Sequence, residues 1–156
     1  MSKNLEGQTL AANRAAFYEY YILDKFEAGL VLTGTEVKSV LDGRVQLKDA
    51  FVAVRANEAW LCNAHISPYT YGNRMNHEPL RLRKLLLHRR EIDQLEEAIT
   101  IKGMTLVPTR IYMHNKRAKL EFGIARGKKL YDKRETELRR TVDRETRAQI
   151  KEHERA

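Results

Sequence analysis

The stretch Lys119-Leu120-Glu121-Phe122-Gly123-Ile124 alternates polar and apolar side chains. That period of two puts Leu120, Phe122 and Ile124 inward and Lys119 and Glu121 outward, a pattern that suits a half-buried strand and not a helix. The chain must therefore build a sheet, and other segments can supply it. Met104 to Met113 reads as extended, with Pro108, which lacks an N–H, at an edge or bulge. His114-Asn115-Lys116-Arg117 then joins the two as a hairpin. Phe17 to Leu32 is rich in aromatic and β-branched residues, as strands are. Phe51, Val52 and Val54 form a further run, and Asn57-Glu58 makes a turn. A third run follows, with Trp60, Cys62, Ala64 and Ile66 on one face and Asn63 and His65 on the other.

Two helices interrupt the strands. Thr33-Gly34-Thr35-Glu36 is a capping box, in which hydroxyl and carboxylate satisfy N–H groups reciprocally. Val37, Val40 and Leu41 share a face, and Asp42-Gly43 ends the helix. The second helix starts near Arg90, buries Ile92, Leu95 and Ile99, and stops at Gly103. Five or six short strands with two inserted helices predict a mainly β protein, a small OB-type β-barrel.

Charge divides the chain. With 29 Lys and Arg against 21 Asp and Glu, the net charge is +8. From Arg126 to Ala156 there are eleven basic and seven acidic residues, so the last fifth of the chain carries half of that excess. The expected organisation is a flexible start (1–12), a barrel (13–126) and a basic tail (127–156). In the tail, Asp132-Lys133-Arg134-Glu135 is a helix start with Asp132 as N-cap. Glu135 with Arg139 and Asp143 with Arg147 make i,i+4 pairs worth roughly 0.2–0.5 kcal/mol each. Leu138, Val142 and Ile150 form only a thin apolar stripe. Ordering each backbone residue costs roughly 1–2 kcal/mol, which these contacts do not offset. The tail is expected to be disordered when free and to fold as a helix along a polyanion.

The inventory argues against catalysis and membranes. There is no phosphate loop, nucleophile elbow or zinc-protease motif. The five histidines have no ligand spacing with one another or with Cys62, the single cysteine. Cys62 reads as a small hydrophobe on an apolar strand face. Neither a metal nor a cofactor is expected. No apolar run reaches the roughly 20 residues a membrane helix needs, and the first residues lack a signal-peptide core. A reducing, cytoplasmic setting and a polyanionic partner follow. Three acid-poor clusters mark the partner's surface: Arg81, Arg83, Lys84, Arg89 and Arg90; Lys116, Arg117 and Lys119; and Arg126, Lys128 and Lys129. In the loop 67–79, Tyr69, Tyr71, Asn73 and Arg74 either engage unpaired bases or pin the loop to the body. Both readings stay open.

Five strings occur in order: Asn13-Arg14-Ala15, Phe26-Glu27-Ala28-Gly29, Gly34-Thr35-Glu36-Val37-Lys38-Ser39, Arg83-Lys84-Leu85-Leu86-Leu87-His88 and Gly127-Lys128-Lys129-Leu130-Tyr131-Asp132-Lys133-Arg134. Over residues 13–155 the chain resembles the small protein B family, bacterial proteins that bind transfer-messenger RNA (SsrA RNA). One departure is Leu41, where the family usually carries Arg. The resemblance implies an adaptor of trans-translation, the rescue of stalled ribosomes, that stands in for the missing anticodon arm of the RNA's tRNA-like domain. It implies contacts to that domain from Asn13, Arg14, Glu27, Lys84, Leu86, His88 and Lys119. Arg14, Lys84 and Lys119 would neutralise phosphates. Glu27 and Asn13 would accept bonds from ribose hydroxyls or base edges. His88 would stack or donate, and Leu86 would give apolar contact. It further implies that Gly127, Lys128, Lys129, Tyr131, Asp132, Lys133 and Arg134 approach the decoding centre, with the tail in the empty message channel. Elongation factor Tu would join the delivery complex. The alternative is a generic OB-type single-stranded RNA-binding protein.

Overall fold

The structure, a computed structural model, describes residues 7–70 and 76–129, together with 133, 134, 138, 141 and 144. Its backbone is set by three long strands: β2 (Tyr20–Leu30), β8 (Met104–His114) and β9 (Arg117–Gly127). β8 and β9 meet in a hairpin whose turn residues, Asn115 and Lys116, have φ of 49° and 62°, the left-handed pair that matches strand twist. β9 pairs antiparallel on its other side with β2, from Tyr20 opposite Gly127 to Gly29 opposite Lys119.

The remaining strands are β1 (Thr9–Ala12), β3 (Val45–Gln46), β4 (Phe51–Arg55), β5 (Glu58–Cys62), β6 (His65–Ile66) and β7 (Arg83–Leu86). Seven strands form one antiparallel sheet in the order β1-β8-β9-β2-β7-β5-β4, and β3 pairs with β6 in a second. β4, at one end, packs against β8, second from the other end, so the sheet curls around its core. Leu61, Leu85, Leu106, Ile111, Leu120 and Phe122 are fully buried there.

Two bulges on the long strands shape the sheet. Pro108 sits beside the first, where Thr109 is the extra residue between partners of Phe122 and Glu121. The expected bulge is therefore present, in an interior strand. The second leaves Leu23 extra on β2. Opposite it, a Cβ on Gly123 would lie 2.6 Å from Ile22 Cγ2 and 2.7 Å from the Asp24 carbonyl oxygen. Only glycine tolerates backbone that close.

Helices α1 (Arg14–Glu19), α2 (Gly34–Leu41) and α3 (Arg89–Ile99) accompany the sheet. The capping box of α2 is present, with the Thr33 N–H donating to Glu36 Oε1 at 2.9 Å. Gly43 follows with φ of 73°, as a helix terminator should.

Several expectations are corrected. Phe17 to Glu19 belongs to α1, so the strand begins only at Tyr20. Thr9–Ala12, expected within a flexible start, pairs with β8. On β5 the buried residues are Ala59 and Leu61, while Trp60 and Cys62 are only half-buried. Asn63, at φ of 60°, interrupts the alternation, so Ala64 and Ile66 do face inward. The β4–β5 turn lies one residue early, at Ala56 and Asn57, both with positive φ. Leu41 and Ile99 stay exposed at the ends of their helices.

Candidate nucleic-acid interface

Register defines a flat outer face. Gly29 of β2 lies opposite Leu86 of β7 on one side and Lys119 of β9 on the other. Glu27 is two residues back on the same face, and Lys84 two residues back from Leu86. Leu86 is 55% exposed, and Glu27 is exposed. His88 continues the line as the exposed N-cap of α3, its N–H bonded to Glu91 Oε1 at 3.1 Å. Glu27, Lys84, Leu86, His88 and Lys119 thus converge from three strands and a helix start. Gly29 keeps the row low: a Cβ there would press on Leu86 at 3.3 Å.

Electrostatics hold this face in order. Lys84 Nζ lies 3.3 Å from Glu58 Oε1, both side chains more than 40% exposed. Such a pair is worth at most about 1 kcal/mol and yields easily to a phosphate. Beneath Glu27 runs a network that the sequence does not announce. Glu121 Oε2 accepts from Arg110 Nε at 3.0 Å and from the Thr109 hydroxyl at 2.9 Å. The Arg110 guanidinium lies 4.3 Å from the ring centre of Tyr112, which is only 6% exposed although it stands on the outer face. Burial pushes the Tyr112 hydroxyl up to about 12, and its hydrogen bond to Glu27 adds to the rise. The hydroxyl keeps its proton at neutral pH, with the Glu27 carboxylate among its neighbours.

Two expected contact residues point the other way. Arg83 is fully buried, because it shares the inward face of β7 with Leu85. Its Nε donates to Glu36 Oε2 at 2.6 Å and its Nη1 to the Ala64 carbonyl at 2.7 Å. Arg81 Nη2 adds a bond to Glu36 Oε1 at 2.6 Å. Burial alone would raise the Glu36 carboxyl. The bonds from Arg81, Thr33 and Arg83 outweigh it and hold the group at about 2. Asn13 is the second case, 6% exposed, with its Nδ2 donating to the Pro108 carbonyl at 2.9 Å. Arg83 and Asn13 are thus bound into the body of the fold. A faint signal existed for Arg83, since alternation with Leu85 implies an inward side chain; none existed for Asn13.

The third basic cluster lies elsewhere. Arg126 alternates with Ile124, Phe122 and Leu120, so it stands on the opposite sheet face from Lys119, near Tyr21 at 5.6 Å. Lys128 Nζ is 5.0 Å from the same ring and donates to the Phe17 carbonyl at 3.0 Å. Arg14, Gly127 and Lys129 are exposed. Lys133 and Arg134 are helical, with the Lys133 N–H bonded to the Lys129 carbonyl at 3.1 Å. Tyr131 and Asp132 lie outside the described residues, as do Tyr71, Asn73 and Arg74. Tyr69 is pinned: the Asn76 amide brackets its backbone at 2.8 and 3.2 Å, and Lys38 Nζ is 5.3 Å from its ring centre.

Residues 10–152 match the family model described as "SmpB protein". The SsrA-binding protein of Koribacter versatilis is 55% identical over 140 residues, covering 90% of this chain and 80% of its own. That of Geobacillus kaustophilus is 52% identical over 150 residues, covering 96% and 97%. A solved structure described as "tmRNA-SmpB: a journey to the center of the bacterial ribosome" shares 44% identity with a TM-score of 0.66, over 76% of this chain and 84% of that one. With a family match across almost its whole length, the chain belongs to the SmpB protein family.

Proposed function

We propose that the chain is a transfer-messenger RNA-binding adaptor of trans-translation. The observation that carries this reading is the convergence of Glu27, Lys84, Leu86, His88 and Lys119 on one exposed face, in a chain whose relatives are named SsrA-binding proteins. The curled sheet is an OB-type barrel, and its outer face holds the tRNA-like domain. Lys84 and Lys119 take phosphates, which position the RNA without reading its sequence. Glu27 accepts hydrogen bonds from ribose hydroxyls or base edges. Arg14 adds a phosphate contact from α1.

The second half of the task falls to the segment from Gly127 onward. Lys128, Lys129, Tyr131, Asp132, Lys133 and Arg134 meet the decoding centre, and the basic tail, disordered when free, folds as a helix in the empty message channel. Occupancy of that channel by message would exclude it, which restricts action to stalled ribosomes. Elongation factor Tu accompanies the complex to the ribosome in the cytoplasm. The peptidyl transfer is ribosomal chemistry, so the chain acts by binding alone.

A titration at two salt concentrations tests the body's role, comparing the tRNA-like domain with an unstructured RNA of equal length. The folded RNA should bind more tightly, the preference should persist at higher salt, and Glu27→Ala should weaken it selectively. Equal affinities with equally steep salt slopes would indicate counterion release alone and a generic RNA-binding barrel instead.

A further inference from the structure

The outer face does not stop at Lys84. In the β5–β7 register Trp60 lies directly opposite Lys84, and in the β4–β5 register Ala53 lies opposite Trp60 and Phe51 opposite Cys62. These side chains stand on the same face as Lys84 and Leu86, because their neighbours Ala59, Leu61, Arg83 and Leu85 fill the other face. Phe51, Ala53, Arg55, Trp60 and Leu82, with Glu58 among them, line an open, mostly apolar groove of about 390 Å³. Phe51 is 45% exposed and Leu82 54%. From Trp60 across β7 and β2 to Lys119 is three strand spacings, roughly 14 Å, well within the footprint of one folded RNA.

Exposed aromatic and aliphatic side chains side by side call for a partner, and the position of the groove decides which. It is continuous with the face proposed to grip RNA, and a cation stands on each side: Lys84 next to Trp60, and Arg55 at the hairpin end, opposite Glu58. An aromatic plane between two cations suits an unpaired nucleotide, whose base stacks while its flanking phosphates meet the charges. A purely apolar protein segment would gain nothing from those cations.

We propose that Trp60, with Phe51 and Leu82 beside it, is a stacking site for an unpaired nucleotide of the RNA held at Lys84 and Leu86, with Arg55 contacting a flanking phosphate. This rests on the RNA-binding reading of the neighbouring face and extends it by two strands.

Trp60 is the chain's single tryptophan, so its fluorescence reports directly on the groove in the full-length protein. Titration with the tRNA-like domain should quench or shift that emission. Trp60→Leu should lower affinity for that RNA about tenfold, as loss of one stacked base does, while leaving the salt slope unchanged. Trp60→Phe should keep most of the affinity, and Arg55→Ala should flatten the salt slope by about one phosphate contact. Wild-type affinity in Trp60→Leu, or unchanged emission at saturating RNA, would overturn the proposal. So would an emission change that depends on protein concentration without RNA, which would assign the groove to a second copy of the chain. Glu27→Ala, run in parallel, separates the two readings. If Glu27→Ala is silent and Trp60→Leu is not, the Glu27 contact fails while the stacking site stands. The reverse result sinks the stacking site alone.

Discussion

At the scale of single residues, Glu36 decides most. It is a carboxylate with no solvent exposure, held between two guanidinium groups at 2.6 Å each. Its carboxyl sits at about 2 in the folded chain against an ordinary 4.5. Because the folded value is the lower one, its contribution to stability is complete above the ordinary value. It is lost as pH falls from there through about 2, and amounts to about 3 kcal/mol. Denaturant midpoints measured from pH 6 down to pH 2.5 should fall steeply over that window. Glu36→Gln should cost about 3–5 kcal/mol at neutral pH, since it leaves buried charge unpaired, and should flatten the acid limb. The sequence displayed Glu36 as half of a capping box, and that is what it is. It could not display the second role, because Arg81 and Arg83 lie 45 and 47 positions away and only the fold brings them together. By spacing alone Arg83 is one surface cation among others.

Elements were legible where local chemistry and tertiary packing agree. The alternation through Leu120 and Phe122, the Pro108 bulge and the α2 cap all follow from spacing that the packing then uses. They failed where one residue's backbone breaks the period. Asn63 with positive φ turns an apparently continuous run into two segments of opposite phase, so an unbroken alternation puts Trp60 and Cys62 on the wrong face. The six-residue α1, RAAFYE, carries aromatic residues that locally favour a strand; packing of Ala16 against Val107 and Ala125 makes it a helix. The β8–β9 turn offers a test at this scale. Lys116 adopts φ of 62°, a conformation that costs a side-chain-bearing residue energy. Lys116→Gly, which produces the favoured Asn-Gly turn, should raise stability by about 0.5–1 kcal/mol. A denaturant titration would show this as a higher midpoint at unchanged slope.

For the whole molecule, the candidate interface and the basic segment lie at opposite ends of β9. Lys119 stands near its start and Gly127 at its end, roughly 27 Å apart at strand rise. A chain ended after Gly127 should keep much of its affinity for the tRNA-like domain and lose the rescue of stalled ribosomes. Normal tagging of stalled peptides by that shortened chain would contradict the adaptor mechanism. The same strand has a mechanical consequence. β9 is bonded on both sides along its length, to β8 and to β2, and the bonds of an antiparallel ladder stand perpendicular to the strands. Tension pulling the segment after Gly127 along the axis of β9 loads all of those bonds at once, in shear, instead of opening them one after another. The body is thus an anchorage, built so that force arriving through the terminal segment is spread over two ladders before any single bond has to give.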